Sequence, residues 1–338
     1  MTLEVCVVEG DGIGHEVVPA AVRVLQAVVP NVKIIEAVAG WETFQQQGVS
    51  LPDATIEAAR NAGSVIFGAC SSPSHPVEGY YSPIVRLRRE LQAYANLRPA
   101  RYLPVPTSRP GVDLVVVREN TEDLYVGNET MDEVAGRSTA EKVITRQATE
   151  RVARLAYDLA INSGRKKVTV VTKANVLPQS DGLFRRVALE IAANFPEVET
   201  DELLVDTAAY WMVKEPTRFD IILTPNLYGD ILSDMAAAWG GGLGLAPSVN
   251  IGNNVGIAEP VHGSAPDIAG KGIANPTASI LSVAMMMRHH WNMHREAKVV
   301  EDAVRAALTD GMHTTDIYAE GAVSTVEYTD RIVSRLRM

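Results

Sequence analysis

Apolar runs of strand length alternate along the chain with stretches whose apolar residues recur at helical spacing. Val5 to Val8 is the first run, and it leads into the glycine-rich turn Gly10-Asp11-Gly12-Ile13-Gly14. Over 15–28, Val17, Val18, Ala21, Val24, Leu25 and Val28 then fall on one face of a helix. The same reading predicts strands at Val32–Ala37, Ser64–Ala69, Leu114–Val117, Val168–Val171 and Asp220–Leu223, and helices near 52–62, 146–162, 181–194 and 230–238. Strands alternating with helices imply an α/β fold with a largely parallel sheet and flanking helices. No internal repeat or low-complexity linker interrupts the pattern. The Pro-rich segment 99–111 and the glycine-rich stretch 240–244 mark two candidate crossings. They divide the chain into a discontinuous first domain, 1–98 plus 245–338, and a second domain, 99–244.

Composition narrows the partners. The 338 residues carry a formal charge of −10, which argues against nucleic acid or an anionic membrane surface as a general partner. Two cysteines, Cys6 and Cys70, cannot form a disulfide framework, and the opening residues read as a strand rather than a leader. No apolar run reaches the ~18 residues of a membrane span. A cytoplasmic protein is expected. The charge is reversed locally: Arg86, Arg88, Arg89, Arg98, Arg101, Arg109 and Arg118 lie within 86–118, where the only acids are Glu90 and Asp113. Arginine without lysine suggests bidentate recognition of carboxylate or phosphate. At least three of the seven are expected in surface ion pairs instead.

The glycine turn invites a dinucleotide fingerprint but does not match one. Gly-x-Gly-x-x-Gly needs its third glycine where this chain has His15. A tight strand-to-helix turn using positive φ accounts for Gly10, Gly12 and Gly14. GKG at 270–272 lacks the rest of a phosphate loop. Other groups carry clearer chemistry. Asp230 and Asp234, four apart, point the same way from a helix, and oxygen-only ligands suit Mg2+ or Mn2+; a helix cap and a solvated carboxylate would read the same. Asp206, after Leu203–Val205, is a third candidate that spacing cannot recruit. Arg118 ends a strand and Lys173 follows one, the positions where ligands bind in open α/β sheets. Tyr125 is a proton donor or a half-buried strand tyrosine. His289, His290 and His294 are expected on an exposed helix face, Met285 to Met287 in the core, and Cys70 near a pocket without a nucleophile's surroundings.

Six segments in order, EGDGIGHE (9–16), LRRELQAYANLRP (87–99), RENTEDLY (118–125), KANVLP (173–178), NLYGDILSD (226–234) and EPVHGSAPDIAGKGIANP (259–276), resemble the β-decarboxylating dehydrogenases of the isocitrate and isopropylmalate type. The resemblance covers essentially the whole chain. It implies the two-domain, non-Rossmann isopropylmalate dehydrogenase-like fold, and a homodimer or tetramer with active sites shared between subunits. It implies Arg88, Arg98 and Arg118 as substrate-carboxylate ligands, with Ser72, Ser82, Tyr125, Lys173 and Asn175 also at the substrate. Asp206, Asp230 and Asp234 would hold Mg2+ or Mn2+, with Asp206 and Lys173 supplied by the neighbouring subunit. Tyr125 and Lys173 would form the acid–base pair. Asn175, Glu259, His262, Gly263, Ser264, Ala265, Pro266, Asp267, Ile268 and Asn275 would bind the cofactor. NADP-using relatives carry Lys-Tyr where this chain has Asp267-Ile268, so the resemblance points to NAD.

Within the family, EGYYSPIVRLRRE (78–90) is most similar to fungal homoisocitrate dehydrogenases, and TSRPGVDLV (107–115) to bacterial ones. The expected substrate is therefore homoisocitrate, a tricarboxylate 2-hydroxy acid, which implies lysine biosynthesis through aminoadipate. Isocitrate ranks second and isopropylmalate third. A non-catalytic regulatory subunit is disfavoured because every expected catalytic position is intact.

Overall fold

The computed structural model describes residues 3–336 and divides into two compact units. One comprises the chain up to Ala93, residues Tyr102–Pro110, and the chain from Ala237 onward; the other comprises Tyr94–Arg101 and Gly111–Ala236. The expected crossings near 98 and 245 compare with observed divisions at 93/94 and 236/237, with 102–110 belonging to the first unit.

In the first unit, five strands run in the order Lys33–Ala37, Glu4–Gly10, Ser64–Ala69, Gly256–Ala258, Val249–Ile251. All pair in parallel except the last two, which are antiparallel. The central strand Ser64–Ala69 is buried at every position, matching its uninterrupted apolar sequence. Cys6, Val8, Ile56, Phe67, Leu87 and Ile257 meet in one core cluster beneath the helices. Met285, Met286 and Met287 are buried, as expected. His290 is not on an exposed face. Its ring packs so closely on Gly256 that a Cβ there would lie 2.6 Å from it. Burial lowers its pKa, with a partly opposing hydrogen bond to the Gly63 backbone. Of the three histidines only His294 is exposed.

The glycine turn is shaped by backbone packing. A Cβ on Gly10, at φ +80°, would lie 1.9 Å from Ala69 O, and one on Gly12, at φ +59°, 2.3 Å from Ser264 O. The space left by the missing side chains is thus filled by the protein's own backbone. Asp11, 1% exposed, accepts from the amides of Trp41, Glu42 and Ser71, each at 2.8 Å, and so caps the helix Trp41–Gln47 from a distant loop.

In the second unit the order is Ala95–Arg101, Asp113–Glu119, Ile221–Thr224, Lys167–Thr172, Glu199–Leu204. The first pair is antiparallel and the others parallel. Arg118, Lys173, Asp206 and the helix Asn226–Gly240 therefore all lie at or just beyond the C-terminal ends of parallel strands. The helix Arg146–Ser163 begins at Thr145, whose side chain accepts from the Ala148 amide, and stops at Gly164 in the left-handed region. A separate antiparallel ribbon, Glu129–Asp132 with Arg137–Ala140, is exposed at all eight positions. Among the described residues no helix is long and apolar enough to cross a membrane.

Because the folded pKa of His290 lies below its unfolded value, the native state binds fewer protons between the two. Stability from this group is present above the ordinary histidine range and is lost as pH falls through it. Urea unfolding of wild type and His290→Phe should diverge below about pH 6.5, wild type losing more. Parallel curves from pH 8 to pH 5 would contradict this account.

Candidate active site

Register builds the arginine wall of the second unit. Asn96 lies directly opposite Arg118 in the antiparallel pair, and Arg98 follows Asn96 by two. All three side chains therefore share one face of the sheet. Arg98 Nε donates to Asn96 Oδ1 at 2.5 Å, and Arg118 Nε to Asn226 Oδ1 at 2.9 Å. Both arginines are buried, at 7% and 1% exposure. Of the others in the cluster, Arg86 and Arg101 sit in partly exposed ion pairs of the expected kind, whereas Arg109 stacks on Trp239.

The helix Asn226–Gly240 brings Asn226, Asp230, Ser233 and Asp234 to the same face. Its approach depends on Gly229, where a Cβ would lie 2.6 Å from the Arg118 stem. Asp230 is therefore inside the helix rather than capping it. Its Oδ1 accepts from Arg118 and, at 3.2 Å, from Arg98; its Oδ2 accepts from the Tyr125 hydroxyl at 2.6 Å. Asp234 Oδ1 lies 3.5 Å from Arg98 Nη1. Tyr125 is on a single 3-10 turn, Leu124–Val126, with the Arg118 guanidinium 5.0 Å from its ring centre. Burial raises the Tyr125 pKa, Arg118 opposes this, and Asp230 adds to it. Its proton is thus held on the oxygen. Asp234 is raised by burial, then relieved by Arg98 and raised again by Asp230.

A second grouping is Lys173 with Asp206, Nζ to Oδ1 at 2.5 Å. This bond is the main reason the Asp206 pKa is lowered. Asp206 sits in the first turn of the helix Val205–Lys214. Among the described residues, no three His, Cys, Asp or Glu side chains gather as a metal-ligand set, so Asp206 does not join Asp230 and Asp234 within one chain. Asn175 is exposed in the turn after Lys173.

In the first unit, Arg88 is 5% exposed and reaches both oxygens of Glu259, at 2.9 and 2.7 Å. Asn250 donates to the same carboxylate at 2.8 Å. Arg88 Nε is buried without a hydrogen-bond partner. Glu259, grouped with the cofactor residues by sequence, is thus the residue that orients Arg88. Ser71 donates to Ser264 at 2.8 Å, and Tyr80 to Ser71 O at 2.6 Å, so both are committed to protein partners. Ser82 begins the helix Pro83–Glu90, and Ser72 is exposed. Burial, then Asp11 and Glu259, push the Cys70 thiol far above its ordinary range, which disqualifies it as a nucleophile.

The loop 262–268 is tied to the glycine turn, Ile13 N donating to Ser264 O at 2.9 Å. Ala265 adopts φ +39°, Ile268 N donates to Ala265 O, and Gly263, Pro266 and Asp267 are exposed. His262 Nδ1 lies 3.0 Å from Gly263 O, while its Nε2 is buried without a protein partner, and burial holds its pKa below the ordinary value. Asn275 donates to Asp316 at 3.1 Å and accepts from Thr277 N, capping the helix Thr277–His289. Asn96, Asn226, Ser233 and the Arg88–Glu259 pairing escaped sequence reasoning. Asn96 alone left a trace, two residues before a candidate arginine on a strand.

Two carboxylates, two buried guanidinium groups and a tyrosine hydroxyl thus meet on one face of the second unit. A family model described as "Isocitrate/isopropylmalate dehydrogenase" matches residues 4–332. The chain is 50% identical over 337 residues to an "Isocitrate/homoisocitrate dehydrogenase" of Thermus thermophilus, covering 100% of this chain and 99% of that one. It is 46% identical over 334 residues to a "3-isopropylmalate dehydrogenase" of Archaeoglobus fulgidus, covering 98% and 99%. A crystal structure of isocitrate dehydrogenase from Methylococcus capsulatus superposes with TM-score 0.95 at 42% identity, covering 100% of both chains. The chain belongs to the isocitrate/isopropylmalate dehydrogenase family. It is therefore an oxidoreductase of the β-decarboxylating class, whose members act on small hydroxy acids with NAD(P) and a divalent metal.

The donor set at Asp230 and Asp234 fits a hard divalent cation, because two carboxylates one helical turn apart on the same face offer the oxygen ligands it prefers. Mg2+ at ten times its Kd should stabilise the wild-type protein by about 1.4 kcal/mol. EDTA should remove that gain, and Asp234→Asn should lack most of it. A thermal shift equal in both proteins would place the ion elsewhere.

Proposed function

We propose that the protein catalyses the NAD-dependent oxidative decarboxylation of homoisocitrate to 2-oxoadipate and CO2 with Mg2+ or Mn2+. The observation that carries the reading is the cluster in which Arg98 and Arg118 meet Asp230, with the Tyr125 hydroxyl 2.6 Å from that same carboxylate.

In this reading Arg88, Arg98 and Arg118 bind the substrate carboxylates, and their anchors set the direction of each guanidinium before substrate arrives. Glu259 orients Arg88, Asn96 orients Arg98, and Asn226 orients Arg118. Lys173 of the neighbouring subunit, as the neutral amine, accepts the C2 hydroxyl proton directly or through water as hydride leaves C2. Tyr125, protonated and near Arg118, delivers a proton to C3 after CO2 departs. Asp230, Asp234 and a neighbouring subunit's Asp206 would hold the divalent ion, which would supply polarisation of the C2 oxygen. NAD would supply the hydride acceptor, and the loop 262–268, Asn275 and Asn175 are the residues that would hold it. The buried, unpartnered His262 Nε2 suits a site that a ligand completes. The exposed Asp267 carboxylate can accept from ribose hydroxyls and would repel a 2′-phosphate. The fully exposed ribbon 129–140 gains little by itself, which favours a dimer or larger assembly that covers it.

The choice of homoisocitrate rests on the run 78–90, in which Ser82, with Ser72 upstream, offers hydroxyl groups to a distal carboxylate. The names of the relatives divide between homoisocitrate, isocitrate and isopropylmalate. Isocitrate is the second reading, favoured by the serine at 82, and the name of the Thermus relative gives both acids.

In a kcat/KM panel of homoisocitrate, isocitrate, 3-isopropylmalate and D-malate with Mg2+, homoisocitrate should rank first, and NAD should exceed NADP. Isopropylmalate winning by about tenfold would overturn the substrate assignment, and NADP matching NAD would overturn the reading of Asp267. Tyr125→Phe should lower kcat by roughly 10²–10⁴ with little change in KM; a fall confined to KM would remove Tyr125 from proton transfer.

A further inference from the structure

We propose that Lys142 is a positioning residue that sets the relative placement of Tyr125 and Lys173 within one protomer. The inference rests on the reading of those two as the acid and the base, one protomer's Tyr125 and Lys173 serving two different active sites of the assembly. Lys142 Nζ lies 2.6 Å from Asp181 Oδ1 and 3.4 Å from Asp123 Oδ1, both carboxylates wholly buried. It also lies 4.4 Å from the centre of the Tyr228 ring and 3.4 Å from its hydroxyl. Burial works against the ammonium, but the Asp181 bond and the Asp123 charge outweigh it, so the pKa is raised and the group stays charged.

Each partner leads to a separate part of the site. Asp181 Oδ2 accepts the Lys173 amide at 2.6 Å, fixing the backbone that carries that lysine. Asp123 stands two residues before Tyr125 at φ +71°, a conformation that residues other than glycine rarely adopt. Its side chain accepts from the Leu124 amide and from the Leu227 amide, each at 2.9 Å. Its own amide donates to Val143 O at 2.8 Å, which brings Lys142 alongside. Tyr228 lies on the helix that carries Asp230 and Asp234. One ammonium thus joins the Tyr125 segment, the Lys173 turn and the carboxylate helix. Beyond their backbone amide donors, the two buried aspartates share that one ammonium as counter-charge.

The test compares wild type, Lys142→Gln and Lys142→Arg in steady-state kinetics with homoisocitrate, NAD and Mg2+, and in amide hydrogen exchange over residues 123–126 and 173–177. Lys142→Gln should lose roughly 10- to 100-fold in kcat, keep KM within about threefold, and exchange faster in both segments; Lys142→Arg should recover most of both. A folded Lys142→Gln with wild-type kcat and wild-type exchange would overturn the proposal, as would a loss confined to KM. If Lys142→Gln does not fold, Lys142→Met/Asp181→Asn removes one charge of each sign and leaves an amide oxygen for Lys173 N–H. A comparable fall in kcat in that protein supports the proposal and a wild-type kcat overturns it. Wild type inactive on every acid in the panel would refute the functional reading, and the exchange comparison would still decide the role of Lys142.

Discussion

Arg98 and Arg118 lie on the inward face of two paired strands with almost no exposure, and a buried guanidinium without a counter-charge is too costly to keep. Asp230 meets both, and so dictates where the helix Asn226–Gly240 must lie and which of its faces turns inward. Gly229 allows that approach, because any side chain there would collide with the Arg118 stem. The same carboxylate receives the Tyr125 hydroxyl, so tyrosine, arginines and helix are set by one anion. In the proposed reaction the Asp230 carboxylate would help hold the divalent ion, and the two guanidinium groups would bind the substrate carboxylates.

The first unit solves a different problem, close passage of backbone. Gly10 and Gly12 sit in a turn pressed against Ala69 and Ser264, and Asp11 gathers three amides from two other loops. The turn resembles a dinucleotide loop in sequence and serves as a structural joint. By holding Ser264 through Ile13, it fixes the loop 262–268, the segment proposed to receive the cofactor. Arg88 obeys the logic of the other arginines, with Glu259 and Asn250 holding its orientation from behind.

Elements with regular apolar periodicity were legible in the sequence. The helix Gly14–Val28, the strand Ser64–Ala69 and the helix Arg146–Ser163 fall within a residue or so of their expected limits. Glu199–Leu204 escaped because ETDELL is an edge strand whose charges are used locally: Asp201 pairs with Lys167, and Glu202 with Arg185. Ala95–Arg101 escaped because its inward residues are polar, the very feature that makes it functional. Asp230 read equally well as a cap because the four residues before it, Asn-Leu-Tyr-Gly, carry turn chemistry, yet they form the first turn of the helix. His290 defeated the exposed-face expectation because a glycine on a remote strand makes room for its ring.

From sequence alone come the α/β class, the local reversal of charge at 86–118 and the identities of the arginines, carboxylates, tyrosine and lysine. The first two follow from local pattern and composition, whereas the roles expected of the arginines, carboxylates, tyrosine and lysine came from the resemblance to the family. Only the tertiary structure decided which of the seven arginines are buried, that Asp230 rather than Asp234 bonds Tyr125, that Glu259 serves Arg88, and that Lys142 joins Asp123 to Asp181. Those pairings span from about twenty to more than a hundred and seventy residues. They are set by strand register and by the need to match every buried charge, which no local stretch of sequence records.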